Sequence, residues 1–232
     1  MNLLELIISI FAPHECIVCG SDNGLLCSRC IGRLKSVPER CHICRVPSPG
    51  GTVCLACQSL TYLQSVRVAT EYSGAAKDLI WLLKMSGTRS SAAILAKLMK
   101  ELVDTNLPTL LVAVPTATSR VRQRGYDQAN LITRQLSKQT GLKHANVLAR
   151  SGQMHQHGLS RKQRLNQLQG SYRVTKLAEV RGKHITLVDD VITTGATLDA
   201  AAKVLYVAGA SSVHALVFAQ PHFNTNILDG KA

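Results

Sequence analysis

The sequence predicts an α/β domain preceded by a small cysteine-rich metal module. All eight cysteines lie between Cys16 and Cys57, and none follows. After about Leu63 the chain alternates apolar runs with longer helical stretches, the pattern of strands and helices in an α/β fold. We therefore place the domain boundary near residues 58–65. The metal module is predicted over residues 1–62 and the α/β domain over residues 63–232.

The composition is that of a folded and strongly basic protein. Apolar residues make up 46% of the 232 residues, enough to form a core. The chain has 27 Lys+Arg against 14 Asp+Glu, a formal net charge of +13. This excess predicts an anionic partner, such as nucleic acid, a phosphorylated ligand or an acidic membrane surface. No stretch approaches the ~18–20 apolar residues of a membrane span. The apolar start lacks the basic region of a secretory signal, so we expect a cytoplasmic protein.

The cysteines form four CxxC pairs, which together indicate two metal sites. A CxxC turn directs two sulfurs to one point, and two such turns complete the tetrahedral thiolate shell that structural Zn²⁺ prefers. The simplest pairing along the chain is sequential, and a cross-braced pairing of first with third and second with fourth is the alternative. In the sequential pairing the ligands are Cys16, Cys19, Cys27 and Cys30 for one ion and Cys41, Cys44, Cys54 and Cys57 for the other.

Disulfides and an iron–sulfur cluster are the alternatives to zinc. Disulfides require an oxidising compartment, and iron–sulfur clusters prefer other spacings. Catalytic zinc usually keeps an open position, whereas both sets of four are complete without the nearby His14 and His42. We therefore expect two structural zinc ions that stabilise a segment poor in large apolar residues. Residues 1–12 are predicted to form a short amphipathic helix that packs on the rest.

The segment from His184 to Thr197 is predicted to contain a ligand site. Residues 185–188 indicate a buried strand, which we expect to end at Asp189 and Asp190. A small hydroxyl-rich loop follows, then a helix ending near Gly209 and a further strand near residues 213–219. This order of elements is a βαβ unit with a loop at the carboxyl end of its first strand, where ligands bind in such folds.

The residue types in that loop predict a phosphorylated sugar as the ligand. Backbone N–H groups at a helix N-terminus and three threonine hydroxyls bind a phosphate monoester. Gly195 lets the backbone approach closely. The carboxylates of Asp189 and Asp190 accept hydrogen bonds from vicinal sugar hydroxyls or serve as outer ligands of Mg²⁺. Phosphate on one side and a diol on the other describe ribose 5-phosphate.

This segment resembles the 5-phosphoribosyl-1-diphosphate (PRPP) signature of type I phosphoribosyltransferases. The resemblance implies a twisted, mainly parallel sheet flanked by helices, with Mg²⁺ accompanying the diphosphate. It implies that Asp189 and Asp190 hold the ribose 2′- and 3′-hydroxyls. The 5′-phosphate would then be cradled by Thr193, Thr194, Gly195, Ala196 and Thr197. Pro115 and Thr116, after a strand predicted over residues 110–115, would lie in the diphosphate-binding loop.

Further stretches are similar to the ComF family of competence-associated proteins, which includes GntX-like proteins and has an N-terminal zinc ribbon. They are Arg120-x-Arg122-x-Arg124-Gly125-Tyr126-Asp127-Gln128, Gln156-x-x-Leu159-Ser160-Arg161-Lys162-x-Arg164-Leu165-Asn166, and Leu79-Ile80-x-x-Leu83-Lys84-x-x-Gly87. Asp127 stands where the family commonly has Asn, which adds negative charge that would weaken anion binding there. Thr116 also departs from the residue often seen in the diphosphate loop.

The stretch from Arg120 to Arg173 is the most basic part of the chain, with 11 Lys+Arg and a single acidic residue. It predicts either a diphosphate clamp or a groove for single-stranded DNA, and a solvated basic face is the plain alternative. The candidate contacts are Lys84, Arg120, Arg122, Arg124, Arg161, Lys162 and Arg164. Aromatic residues make up only 4% of the chain, so DNA binding would depend mainly on the phosphate backbone.

Two functions follow from these features. The first is a Mg²⁺-dependent phosphoribosyltransferase, a glycosyltransferase in which pyrophosphate leaves ribose C1. Catalysis would then rest on positioning and charge stabilisation, with Asp189, Asp190, Arg122 and Arg124 as candidate residues. The alternative is a DNA-binding or regulatory protein that keeps the PRPP fold without transferase activity. The resemblance links both to natural competence, with imported single-stranded DNA and the DNA-uptake machinery as partners.

Overall fold

A computed structural model describes residues 15–86, 88–104, 108–150 and 171–222. Its six strands are β1 Ser65–Glu71, β2 Thr109–Ala113, β3 Leu148–Arg150, β4 Tyr172–Val174, β5 His184–Val191 and β6 Ser212–Gln220. Four of them form a sheet in the order β1-β6-β5-β2, in which every neighbouring pair is parallel. β3 and β4 form a separate antiparallel pair.

The helices of the described ranges follow β1, except for the first helix and two short 3₁₀ helices, which precede it. They are α1 Ser28–Ile31, α2 Gly74–Met85, α3 Ser91–Lys100, α4 Thr118–Arg124, α5 Gln128–Thr140, α6 Leu177–Val180 and α7 Ala196–Val207, with short 3₁₀ helices at Pro49–Gly51 and Leu55–Leu60. Helix α5 shows how local sequence sets such bounds. The Asp127 side chain accepts a hydrogen bond from the Asn130 N–H at its start, and Gly141 ends it in the left-handed conformation, at a φ of 76°.

Apolar residues of the sheet alternate between two buried layers. Ile185 and Leu187 of β5 face the layer that contains Leu198 and Leu205 of α7. Val188 faces the opposite layer, which is formed with α2, α3 and α5. Burial on both faces is typical of a parallel sheet between helices. The predicted α/β fold class is therefore confirmed.

Several predicted boundaries differ from the structure. β5 does not end at the aspartates but continues through Asp189 and Asp190 to Val191, because both remain paired with or beside β6. β2 ends at Ala113, two residues before the predicted end. Helix α7 ends at Val207, and Gly209 follows at a φ of +91°, as a residue beyond a helix end often does.

Some predictions lie outside the described residues or stay untested. The predicted helix over residues 1–12 is outside them, and so is the stretch with Arg161, Lys162 and Arg164. The division into residues 1–62 and 63–232 stays a prediction. In the described ranges, no helix combines the length and the apolar character needed to cross a membrane.

Candidate functional site

The structure groups the cysteines sequentially, which answers the pairing question that the sequence leaves open. Within each group all the ligand sulfurs lie within 4.8 Å of one another. The first cluster is Cys16, Cys19, Cys27 and Cys30, and the second cluster is Cys41, Cys44, Cys54 and Cys57. The sulfurs of Cys19 and Cys27 are 3.7 Å apart, and those of Cys44 and Cys54 are 3.5 Å apart. A tetrahedral Zn²⁺ with Zn–S bonds of about 2.3 Å requires about 3.8 Å between sulfurs, so both clusters fit the ion.

The thiols within each cluster differ in acidity. The backbone N–H of Cys27 donates to Cys16 Sγ at 3.5 Å and lowers the pKa of Cys16 to about 6. Burial raises the pKa of Cys30 in the same cluster to about 12. The second cluster has the same split, with a pKa of about 6 for Cys41 and about 12 for Cys57. Burial disfavours the thiolate form of Cys30 and Cys57, so a bound cation such as Zn²⁺ would be needed to keep all four sulfurs of a cluster deprotonated.

The two aspartates lie at the carboxyl end of β5, beside the end of β2. Ala113 of β2 pairs with Val188, so the predicted diphosphate loop leaves the sheet next to Asp189 and Asp190. Asp190 is buried and forms an ion pair with Lys84, with 2.6 Å between Nζ and Oδ2. Lys84 reaches it from the last turn of α2. The structure thus places Lys84, a predicted anion contact, against the acidic pair.

Asp189 is held in an environment that disfavours its charge. Burial raises its pKa well above the ordinary value, the neighbouring Asp190 carboxylate adds to this, and Lys84 opposes it. One of its oxygens accepts a hydrogen bond from the Asp190 N–H at 2.8 Å. Sugar hydroxyls or a cation such as Mg²⁺ would offset this charge, so the donor set fits both.

The residues from Thr193 to Thr197, called the phosphate loop below, connect β5 to α7. Gly195 caps the helix at a φ of 78°, a left-handed conformation that favours glycine. Its carbonyl accepts the Asp199 N–H at 2.9 Å, which begins the helix. Gly195 is buried, whereas the side chains of Thr193, Thr194 and Thr197 are exposed. The loop therefore presents hydroxyls and a helix N-terminus beside the two aspartates.

Asp127 fixes the predicted diphosphate loop. Its carboxylate accepts the Thr116 N–H at 2.8 Å and the Thr116 hydroxyl at 3.3 Å. It also accepts the Asn130 N–H at 3.1 Å. An Asn side chain has one acceptor oxygen and one donor nitrogen, so it could not accept at both ends as the carboxylate does. Asp127 thus has a local structural role in place of the family's usual Asn.

The predicted arginines are less closely tied to the aspartates. Arg120 and Arg122 are exposed on α4, and no hydrogen bond or ion pair joins either to Asp189 or Asp190 among the described residues. Arg124 donates to the Gln128 side chain at 3.0 Å. The Tyr126 hydroxyl next to this helix donates to the Leu83 carbonyl, one residue before Lys84. The segment that follows helix α4 is therefore hydrogen-bonded to α2 next to Lys84.

Tyr172 and Arg150 lie near the site but were not among the predicted site residues, although Tyr172 is one of the two aromatic residues of the basic stretch. Tyr172 is 4% exposed, and its buried hydroxyl has no hydrogen-bond partner among the residues that the structure describes. The Arg150 guanidinium lies 5.7 Å from the Tyr172 ring centroid. Burial raises the pKa of Tyr172, Arg150 opposes this, and the carboxylates of Asp189 and Asp127 add to it. The Tyr172 hydroxyl is thus close enough to both Asp189 and Asp127 for their charges to affect its pKa.

The second cluster also supplies residues that the sequence did not place in the site. His42 is buried, and its Cδ2 lies 3.4 Å from the position that a Cβ on Gly195 would take. Burial lowers the pKa of His42. The Thr61 hydroxyl and the Tyr62 N–H both donate to Asp199. These contacts join segments far apart in the chain, so no local sequence signal indicates them.

Comparison with known proteins gives one family and several relatives. A model of the phosphoribosyl transferase domain matches residues 88–225. The chain is 28% identical over 216 residues to the DNA utilization protein YhgH of Escherichia coli (strain K12), covering 87% of this chain and 94% of that protein. It is 26% identical over 198 residues to the competence protein ComFC of Streptococcus pneumoniae, covering 83% and 86%.

Two further matches are partial. The chain is 34% identical over 110 residues to competence protein F of Haemophilus influenzae, covering 46% of this chain and 48% of that protein. Among solved structures, the glutamine PRPP amidotransferase of B. subtilis aligns with a TM-score of 0.41 at 20% identity, over 56% of this chain and 26% of that one. The relatives confirm the predicted resemblance to the ComF family.

Proposed function

This chain belongs to the phosphoribosyl transferase domain family, and we propose that it binds PRPP with Mg²⁺ at the carboxyl end of β5. We further propose that this site serves the cytoplasmic handling of imported single-stranded DNA during natural competence. The observation that carries the proposal is the Asp189–Asp190 pair beside the phosphate loop at the N-terminus of α7. Relatives named as DNA utilization and competence proteins support the link to DNA.

Each part of the site matches one part of PRPP. The exposed threonine hydroxyls and the helix N–H groups suit the 5′-phosphate. Asp189 and Asp190 accept hydrogen bonds from the 2′- and 3′-hydroxyls. The loop with Pro115 and Thr116 follows the neighbouring strand β2, and we propose it for the diphosphate. The Thr116 N–H and hydroxyl already donate to Asp127, so other groups of this loop would make that contact. Asp189 and Asp190 would help to hold Mg²⁺, which would supply positive charge to offset the charge of the diphosphate.

If the site transfers the phosphoribosyl group, the C1–O bond to the diphosphate breaks and its electron pair leaves with pyrophosphate. The acceptor nucleophile then forms the new bond to C1. The protein's part is to hold the sugar and to stabilise the changing charge, so no side-chain nucleophile is needed. Lys84 keeps Asp190 oriented, and Arg122 and Arg124 of α4 are the proposed contacts of the leaving pyrophosphate.

Calorimetric titration with PRPP and Mg²⁺ tests this proposal. The comparison is wild type against the double variant Asp189→Asn/Asp190→Asn. Asp78→Asn is the matched control, because Asp78 is an exposed carboxylate on α2 away from the loop. Loss of two charged hydrogen bonds costs about 3 kcal/mol or more, so we expect affinity to fall at least about 100-fold. Absence of binding by the wild type would reject the PRPP site.

The second candidate function is DNA binding without transferase activity. The observation that favours it is the pair of exposed arginines on α4, Arg120 and Arg122, in a chain of net charge +13. Fluorescence anisotropy with a single-stranded oligonucleotide from 50 to 200 mM salt tests it. Each phosphate contact changes the slope of log affinity against log salt by about 0.7.

The informative variant is Arg122→Ala, with Lys183→Ala as its control. Lys183 is exposed at the amino end of β5, opposite the site. We expect only Arg122→Ala to weaken DNA binding and to flatten the salt dependence. Equal affinities for wild type and Arg122→Ala would remove helix α4 from the DNA interface.

A further inference from the structure

The second cluster lies directly behind the phosphate loop. His42 sits between two of its ligands, Cys41 and Cys44, and is 5% exposed. Its ring edge packs on Gly195, where an added Cβ would lie 3.4 Å from Cδ2 and 4.0 Å from Nε2. Gly195 is the residue at which the phosphate loop joins helix α7. The His42 ring therefore packs against the backbone turn that begins this helix.

A second contact holds the other side of the same helical turn. The Thr61 hydroxyl donates to Asp199 Oδ1 at 2.7 Å, and the Tyr62 N–H donates to the same oxygen at 2.8 Å. Both donors follow the 3₁₀ helix Leu55–Leu60, which carries Cys57. Asp199 lies in the first turn of α7, and its own N–H bonds to the Gly195 carbonyl. The first turn of α7 is thus contacted at two points by the segment that carries the second cluster.

The fold of the segment that carries the second cluster depends on that cluster. Its buried apolar residues are Cys41, Val53 and Cys57, with Cys54 packed against them. So small a core supplies little hydrophobic stabilisation, and bound metal supplies folding free energy in such modules. The positions of His42 and Thr61 are therefore set largely by the metal-bound fold of the second cluster.

We propose that the second cluster positions the phosphate loop through His42 and the Thr61–Asp199 contact, so that metal in this cluster preorganises the site for phosphorylated ribose. His42 is a positioning residue in this scheme, since it acts through Gly195. Holding the loop in its binding conformation removes part of the entropic cost of ordering it when ligand binds. The effect on ligand binding rests on the proposed PRPP function.

The test compares two substitutions of His42 in the full, zinc-loaded chain. His42→Ala removes the ring from Gly195, whereas His42→Phe keeps an aromatic ring there. The control is Ile17→Ala, because Ile17 occupies the same position after the first cysteine of the first cluster. Zinc content by mass spectrometry must stay at that of the wild type in all three variants.

The first readout is hydrogen exchange of the backbone amides from residues 195 to 199, measured without ligand. We expect His42→Ala to speed their exchange about tenfold, and His42→Phe and Ile17→Ala to leave it near that of the wild type. Unchanged exchange in His42→Ala would overturn the positioning role. This result does not depend on PRPP binding.

The second readout is calorimetric titration with PRPP and, separately, with inorganic pyrophosphate. We expect His42→Ala to weaken PRPP binding about tenfold and pyrophosphate binding less than twofold, because pyrophosphate lacks the phosphate that the loop holds. Equal weakening of both ligands would indicate general damage and would overturn the inference. A wild type that binds neither ligand would reject the proposed function, while the exchange result would still decide whether the cluster holds the loop.

Discussion

The two cysteine clusters share one motif and one donor set but contact different parts of the fold. The first cluster is packed into one of the two large apolar layers, in which Cys16, Cys27 and Cys30 join residues of α2, α3 and α5. The second cluster has a separate, smaller core and reaches the phosphate loop through His42. We therefore expect identical metal motifs to have different roles in this protein. The first cluster would mainly stabilise the fold, and the second would mainly position the phosphate loop.

Loss of a first-cluster ligand should give the largest effect and break the comparison most directly. Cys30→Ser changes a ligand that is 1% exposed and packed among core residues. Structural zinc contributes on the order of 10 kcal/mol to folding, so we expect a loss of at least about 3 kcal/mol. At roughly 2–4 °C per kcal/mol in a chain of this size, the melting temperature should fall by about 10 °C. Thermal unfolding with zinc analysis measures this.

The same substitution in the second cluster should affect the site more than the fold. Cys57→Ser removes a ligand whose neighbours are the small core around Val53. We expect a fall in melting temperature less than half that of Cys30→Ser, but PRPP affinity reduced about tenfold or more as the phosphate loop loosens. Equal melting temperatures for the two variants would contradict the division between clusters.

The sequence predicted the parts of this architecture that depend on short-range patterns. The CxxC spacing predicted the two sets of four cysteines that the structure brings together. The alternation of apolar runs with helical stretches predicted the α/β class, and the resemblance to phosphoribosyltransferases implied the parallel sheet. The order of aspartates at the end of β5, then threonines and glycine, indicated the loop, because a strand, a turn and a helix follow each other there within a few residues. Such features depend on neighbours along the chain.

The parts that the sequence did not indicate depend on contacts between distant segments. Thr61 and Asp199 are 138 positions apart, and Lys84 meets Asp190 only because α2 packs against the end of the sheet. The end of β5 was also misplaced, because pairing with β6 continues past the aspartates to Val191. Polar residues often end a strand, but here the hydrogen-bonded pairing of β5 with β6 continues past both aspartates and fixes their positions.

Substitution of Thr61 sharpens the comparison with a smaller change. Thr61→Val keeps the shape but removes the hydroxyl that donates to Asp199 at 2.7 Å, while the Tyr62 N–H keeps its bond. Loss of one such hydrogen bond costs about 1 kcal/mol, so we expect PRPP affinity to fall about fivefold. Thr61→Ser retains the hydroxyl and should bind like the wild type. Calorimetric titration of both variants measures their PRPP affinity. An equal loss of affinity in Thr61→Val and Thr61→Ser would show that the hydroxyl does not contribute to binding.

The smallest expected effect concerns the charge of Asp189, which lies beside the loop that the second cluster supports. Burial and the Asp190 carboxylate raise the pKa of Asp189 above its unfolded value. The folded state therefore binds its proton more tightly, and stability falls as pH rises from the unfolded pKa through the folded pKa. At neutral pH, Asp189→Asn should thus raise the melting temperature of the ligand-free protein while weakening PRPP binding. The control is Asp22→Asn, an exposed carboxylate within the first cluster's segment, which should leave both unchanged.

Melting temperatures of wild type and Asp189→Asn between pH 5 and pH 8 test this prediction. Their difference should shrink as pH falls, because protonation of Asp189 in the wild type removes the same charge. A variant that melts below the wild type at every pH would show that the Asp189 carboxylate stabilises the ligand-free fold. A higher melting temperature for Asp189→Asn, together with weaker PRPP binding, would show that ligand binding competes with stability at the phosphate-loop end of the molecule.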